Sequence, residues 1–220
     1  MPPLSELRVY DDREARSAAQ NMAVDEALLE TASAPSLRFY RWRRPSLSVG
    51  YFGSFADAAA EEPRREIVRR WTGGGLVRHG SDLTYSIILP SKDASRPQGS
   101  RAIYRQIHEA IRQAISGQGN VVLASKDAPK VSDACFANPV VADLLADGHK
   151  IAGAAQRRTR AGLLHQGSIQ YEALPQDFQD AFAFALCPRF TRALLLPELL
   201  ERARIISEQK YGTAEWLHRR

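Results

Sequence analysis

Leu83-Thr84-Tyr85-Ser86-Ile87-Ile88-Leu89 alternates Leu83, Tyr85, Ile87 and Leu89 on one face, which reads as a β-strand. The next periodic segment is of another kind. From Ser100 to Ser116 the residues Ile103, Ile107, Ile111 and Ile115 recur every fourth position, an apolar helical stripe that Gly117 and Gly119 end. Upstream, Leu37 to Trp42 and Leu47 to Phe52 read as strands separated by Pro45, and Ile67 to Trp71 as a strand paired with Leu83 to Leu89. Ser17 to Thr31 reads as a helix, because Ser17 and Gln20 have capping-box spacing and Met22, Ala23, Leu28 and Leu29 follow. Downstream, Val121 to Ala124 is a strand and Val140 to Leu145 a short helical pattern. His149 to Ala155 and Leu163 to Tyr171 form a hairpin turning among Arg160, Ala161 and Gly162, and Gln176 to Leu186 and Pro197 to Tyr211 finish as helices. Strands interrupted by helices without regular alternation predict a mixed α+β domain and not a doubly wound sheet.

No Pro/Gly/Ser linker divides the apolar segments, so residues 1–220 read as a single domain. A composition of 44% hydrophobic and 25% charged residues excludes a disordered tail protein and supports a buried core. The most apolar late stretch, Ala193 to Leu200, is broken by Pro197 and Glu198, so no membrane span is expected. Glu6, Asp11, Asp12 and Glu14 leave no room for a secretory signal, and Cys135 and Cys187 read as free thiols of a reducing cytoplasm. The net charge of +5 is carried largely by short arginine groups such as Arg69–Arg70 and Arg157–Arg158–Arg160. These suit solvated surface or the steering of an acidic protein or phosphorylated ligand. No nucleic-acid recognition module accompanies them.

Four segments could hold chemistry. In Arg69-Arg70-Trp71-Thr72-Gly73-Gly74-Gly75, continuing to His79, the glycines either let the backbone approach a ligand or simply turn the chain between strands. The segment is neither a Walker loop nor a dinucleotide fingerprint. Lys150 opens the small-residue run Ile151-Ala152-Gly153-Ala154-Ala155-Gln156, and its ammonium either reaches solvent or serves a site. His165-Gln166-Gly167-Ser168 places polar groups in an apolar strand, where a histidine is a satisfied core residue or a catalyst. Cys135 lies in a loop between Asp133 and Pro139, as a buried small residue or as an acyl-accepting thiolate, whereas Cys187 reads as core. The five histidines lack metal-ligand spacing, and no Gly-x-Ser-x-Gly elbow is present.

The order of the segments is more specific than any one of them. Asn21-Met22-Ala23-Val24-Asp25-Glu26-Ala27-Leu28 precedes Arg38-Phe39-Tyr40-Arg41-Trp42 and Pro45-Ser46-Leu47-Ser48-Val49-Gly50-Tyr51-Phe52. The glycine segment, His79, Leu83-Thr84-Tyr85-Ser86, the Lys150 strand and Gly167-Ser168-Ile169 follow. This series resembles the lipoate–protein ligase and octanoyltransferase superfamily over nearly the whole chain.

The resemblance implies the mixed-sheet α+β fold of class II aminoacyl-tRNA synthetases and biotin–lipoate ligases. It implies an acyl pocket formed by Arg70, Thr72, Gly73, Gly74, Gly75, His79, Gly153, Ala155, His165, Gly167 and Ser168, with Lys150 on the acyl carbonyl. The implied acceptor is a lysine of a lipoyl domain or a glycine-cleavage H-type protein, and the implied donor is an acyl carrier protein thioester. One subgroup of octanoyltransferases passes the acyl group through a cysteine in a Cys-Phe-x-x-Pro segment, which here reads Cys135-Phe136-Ala137-Asn138-Pro139. That makes Cys135 the expected nucleophile of an octanoyl or lipoyl transferase needing no cofactor. The alternatives are a ligase that activates lipoate with ATP and Mg²⁺, and a non-catalytic acyl-binding partner subunit. The chain departs from the family pattern at Gly53 and Gly80 and in the order His165-Gln166, and no accessory C-terminal domain is expected after Lys210-Tyr211-Gly212-Thr213-Ala214-Glu215-Trp216.

Overall fold

The Ser17 side chain accepts the N–H of Gln20 at 3.3 Å while the Gln20 side chain accepts the N–H of Ser17, so helix α1 (Ala18–Thr31) begins at its capping box. This helix is buried on almost every side, Asn21, Asp25 and Glu26 included. The computed structural model describes residues 4–62, 64–91, 99–115, 117, 119–129 and 138–219.

Before α1 runs strand β1 (Leu7–Arg16), and after it come β2 (Ser36–Trp42), β3 (Ser46–Val49), α2 (Phe55–Glu61), β4 (Glu66–Arg69), β5 (Val77–His79) and β6 (Leu83–Pro90). The isoleucine stripe forms α3 (Ser100–Ala114), followed by β7 (Val121–Leu123), β8 (Leu144–Ala146), β9 (His149–Arg158) and β10 (Gly162–Ile169). The chain continues through α4 (Phe178–Leu186), β11 (Phe190–Ala193), α5 (Pro197–Ile206), a π-helical turn (Ser207–Tyr211) and α6 (Ala214–Leu217).

Eight strands form one mixed sheet in the order β11-β1-β2-β6-β10-β9-β8-β7, and β4-β3-β5 form a smaller sheet. Strand alternation gives the large sheet two apolar faces. Phe39, Tyr85, Ile87 and Leu163 point to one side, where the α3 isoleucines and Phe178 and Phe182 of α4 cover them. Tyr40, Ile88 and Leu164 point to the other, under Met22, Ala23 and Leu28 of α1 and Ala203 and Ile206 of α5. Leu47 and Val49 of the small sheet pack on Ala58 and Leu76.

Three expectations are corrected. Val140 to Leu145 is not helical: Ala142 has φ 71°, Asp143 Oδ2 accepts the N–H of Val140 at 2.8 Å, and the chain then enters β8. β4 pairs with β3, not with β6, because the glycine segment returns the chain as β5 on the other edge of β3. β6 instead lies between β2 and β10. Strand β3 ends at Val49, where Gly53 N–H donates to the Gly50 carbonyl at 2.9 Å and closes a turn. β1, β5, β11 and α2 were not anticipated. β1 carries Asp11, Asp12, Arg13, Glu14 and Arg16, which obscure any alternation.

Candidate active site

Above the large sheet, on the α1 side, one row of small and polar residues leaves room for a ligand. Gly153 of β9 pairs with Ser168 of β10, Ser168 with Thr84 of β6, and Thr84 with Tyr40 of β2. Ala155 and Gln166 form the next row. Met22, Ser48, Arg70, Val77 and His79 roof these rows and complete a narrow cavity.

Of the glycine segment Arg70 lines this cavity, Gly74 and Gly75 line an outer depression beside it, and two buried arginines hold the surrounding turns. Arg70 donates to the Ser48 carbonyl at 2.8 Å, the Gly73 carbonyl at 2.8 Å and the Gly75 carbonyl at 2.7 Å. Although Arg70 lines the cavity, these hydrogens serve the loop. Arg69 donates to the carbonyls of Gly50, Tyr51 and Gly53 and to those of Trp216 and Leu217. Gly74 has φ +86°, and a Cβ on Gly50 would stand 1.9 Å from the Gly74 carbonyl oxygen, so backbone contacts backbone there. Thr72 is buried and donates to Gln166 Oε1 at 2.8 Å, while Gly73 has open space beside its Cα.

Lys150 does not reach solvent. Its side chain is 2% exposed and its Nζ lies 2.7 Å from Oδ2 of the fully buried Asp143. Asp143 also accepts from the Tyr104 hydroxyl, which in turn accepts the Ala154 N–H at 3.0 Å. Gly153 makes room for the lysine: a Cβ there would fall 2.6 Å from Nζ. Lys150 lines an outer depression with Phe52, Gly74, Gly75, Asn138 and Ala154. Ala154 belongs to both this depression and the inner cavity, so the two adjoin, with Lys150 on the outer side. Cys135 lies outside the described residues.

His79 and Ser168 line the inner cavity. His79 Nδ1 lies 2.8 Å from Asp82, its Nε2 2.8 Å from Ser48 Oγ, and its ring stacks on Trp42 at 4.0 Å. Burial alone would raise the Asp82 carboxyl, but the His79 ring and the hydrogen bonds from Ser168 and Gly80 outweigh it and hold it below the usual range.

His165 does not line the cavity. Its side chain lies on the opposite face of β10, with Nε2 3.2 Å from the Tyr85 hydroxyl and Nδ1 3.0 Å from Gln156 Nε2. Burial, reinforced by neighbouring His108, pushes its pKa well down. Gln166, one residue on, takes the cavity side and donates to Asp25 at 2.8 Å. Gly167 is required by packing, since a Cβ would meet the Tyr85 ring at 2.3 Å. The sequence shows no signal for Asp82 or Tyr104. Asp143 stands in the family pattern between Cys135-Phe136-Ala137-Asn138-Pro139 and Lys150, with no role assigned to it by the sequence.

Residues 17–186 match the family described as the lipoyl protein ligase A/B catalytic domain. The octanoyltransferase LipM of Oceanobacillus iheyensis is 38% identical over 179 residues, 77% of this chain and 66% of its own length. LipM of Brevibacillus brevis is 36% identical over 177 residues, 73% of this chain and 64% of its own. The match thus spans just under two thirds of these relatives. A T. acidophilum protein described as a lipoate protein ligase, solved with bound lipoic acid, superposes with a TM-score of 0.75 at 22% identity, covering 97% of this chain and 98% of its own. That likeness is one of fold, the mixed-sheet α+β type expected.

Proposed function

Because the chain belongs to the lipoyl protein ligase A/B catalytic-domain family, we propose that it is an acyltransferase of protein lipoylation, moving an octanoyl group from a carrier-protein thioester to a lysine of a lipoyl domain. The observation that carries this reading is the buried Lys150–Asp143 pair, with Lys150 on the outer side where an open depression adjoins a narrow inner cavity. The identity to octanoyltransferases supports the choice of reaction.

In this mechanism the acyl chain occupies the inner cavity and its carbonyl lies beside Lys150. Removing the chain from water is worth about 0.8 kcal/mol per methylene. The Cys135 thiolate attacks the thioester carbonyl, the new S–C bond forms, and the donor's S–C bond breaks, releasing the carrier thiol with a proton. The amine of the acceptor lysine then attacks the acyl-enzyme, the amide forms, and the Cys135 thiol is regenerated. The Lys150 ammonium stabilises the oxyanion of both tetrahedral intermediates. Asn138, three residues after Cys135 in the chain, lines the outer depression with Lys150, which favours a thiol route there. Thioester to amide is downhill, so ATP is not consumed.

The test is transfer from octanoyl-carrier protein to a lipoyl domain without nucleotide, followed by the mass of the acceptor. A gain of one octanoyl group is expected. Octanoylation that occurs only with ATP, with pyrophosphate released, would replace this reading by a ligase.

A further inference from the structure

Most side chains around the inner cavity are polar, yet their hydrogens are directed away from it. Trp42 Nε1 donates to Thr84 Oγ1 at 2.7 Å, and Thr84 Oγ1 donates onward to Asp82 Oδ2 at 2.9 Å. Arg70 donates to Ser48 Oγ at 2.9 Å, Ser48 Oγ lies 2.8 Å from His79 Nε2, and His79 Nδ1 lies 2.8 Å from Asp82 Oδ2. These contacts are all satisfied by the His79 tautomer with its hydrogen on Nδ1, which accepts from Ser48 and donates to Asp82. Ser168 donates to Asp82 at 2.7 Å. On the neighbouring row, Gln166 donates to Asp25 at 2.8 Å and accepts from Thr72.

Two buried carboxylates outside the cavity lining thus collect its polar hydrogens. Asp82 lies beneath Ser168 and Thr84, the next two residues along the row that begins at Gly153. We propose that Asp82 is a positioning residue that makes the cavity selective for an unsubstituted hydrocarbon chain over one bearing a hydroxyl near its far end. With His79, Thr84 and Ser168 committed to the carboxylate, a chain hydroxyl entering this end loses water and finds no donor for its oxygen. Removal of the acceptor has a different consequence from removal of a donor. Without Asp82 three hydrogens turn free and can meet a polar chain, whereas loss of the Ser168 hydroxyl leaves the wall apolar.

The inference rests on the acyl-transfer reading, and the experiment separates the two. Transfer rates are compared for octanoyl and 8-hydroxyoctanoyl thioesters of the same carrier protein, and the ratio is taken within each protein. The wild-type protein should prefer octanoyl on the order of 100-fold, the discrimination an apolar pocket achieves against an added hydroxyl. Asp82→Ala should lower the ratio to below about 10-fold, while Ser168→Ala slows both substrates and keeps the preference. A wild-type ratio near one overturns the inference without any variant, and so does an unchanged ratio in folded Asp82→Ala. Calorimetric binding of octanoic and 8-hydroxyoctanoic acids reads the same ratio without catalysis. If neither thioester is transferred but octanoic acid is bound with the expected preference, the acyl-transfer reading falls and the selectivity stands.

Discussion

At the scale of single residues, the space left by Gly153 and the charge of Asp143 together determine where Lys150 can be. A Cβ at position 153 would overlap the lysine Cε at 2.4 Å, so the side chain would have to move. Gly153→Ala is therefore expected to lower acyl transfer by about 100-fold, the cost of misplacing a reacting group by about an ångström. Its stability should change far less than its rate, which thermal melts beside the transfer assay will check. Lys150→Ala differs, because it leaves Asp143 buried without its cation. Breaking such a pair costs about 3–5 kcal/mol, so that variant should lose both activity and several degrees of melting temperature. Tyr104→Phe removes the hydroxyl that bridges Asp143 and the Ala154 N–H. It should cost about 1–3 kcal/mol in denaturant unfolding, as expected for a buried group left unsatisfied.

At the scale of elements, β10 shows why some of the site was legible and some was not. The helix from Ser17, the isoleucine helix and the β9–β10 hairpin follow from capping, period and a glycine turn, all local signals. Which face of β10 meets the cavity is not local. All eight of its residues are buried, so alternation gives two faces without saying which is which. The family resemblance implies His165 in the pocket, whereas Gln166 lines the cavity, where Asp25 of α1 and Thr72 of the glycine segment meet it from above. The same distance in sequence hides Asp82, which gathers donors from β5, β6 and β10. The helical reading of Val140 to Leu145 failed for a related reason, since Asp143 is drawn inward by Lys150 rather than outward by solvent. Gly167 was legible only as a motif glycine, and its packing role makes a prediction. Gly167→Ala should destabilise the hairpin by about 1–3 kcal/mol, because the Tyr85 ring is buried and cannot retreat far. Urea unfolding measures that cost.

At the scale of the whole molecule, the end of the described chain is tied to the site. Trp216 donates to the Arg69 carbonyl at 2.9 Å, Arg69 returns hydrogen bonds to Trp216 and Leu217, and Lys210 sits 4.0 Å above the Trp71 ring while pairing with Glu26 at 2.6 Å. Stability should also depend on acid through the opposite face of the sheet. Burial lowers His108 from 6.5 to about 4. The unfolded chain therefore binds a proton that the folded one refuses between those values, and stability present above pH 6.5 falls as pH drops toward 4. The loss is about 3 kcal/mol for a shift of this size. His165 adds in the same direction, and the lowered carboxyls of Asp12 and Asp82 add below their ordinary range. Urea midpoints at pH 7.5 and pH 5 should differ accordingly, and His108→Gln should flatten the difference. The central claim, covalent acyl transfer beside Lys150, is tested most directly by intact mass after incubation with octanoyl-carrier thioester in the absence of nucleotide. An octanoyl adduct on the wild-type protein that is absent from folded Cys135→Ala is the predicted result. An adduct that persists in Cys135→Ala, or transfer to a lipoyl domain by that variant at the wild-type rate, would contradict it.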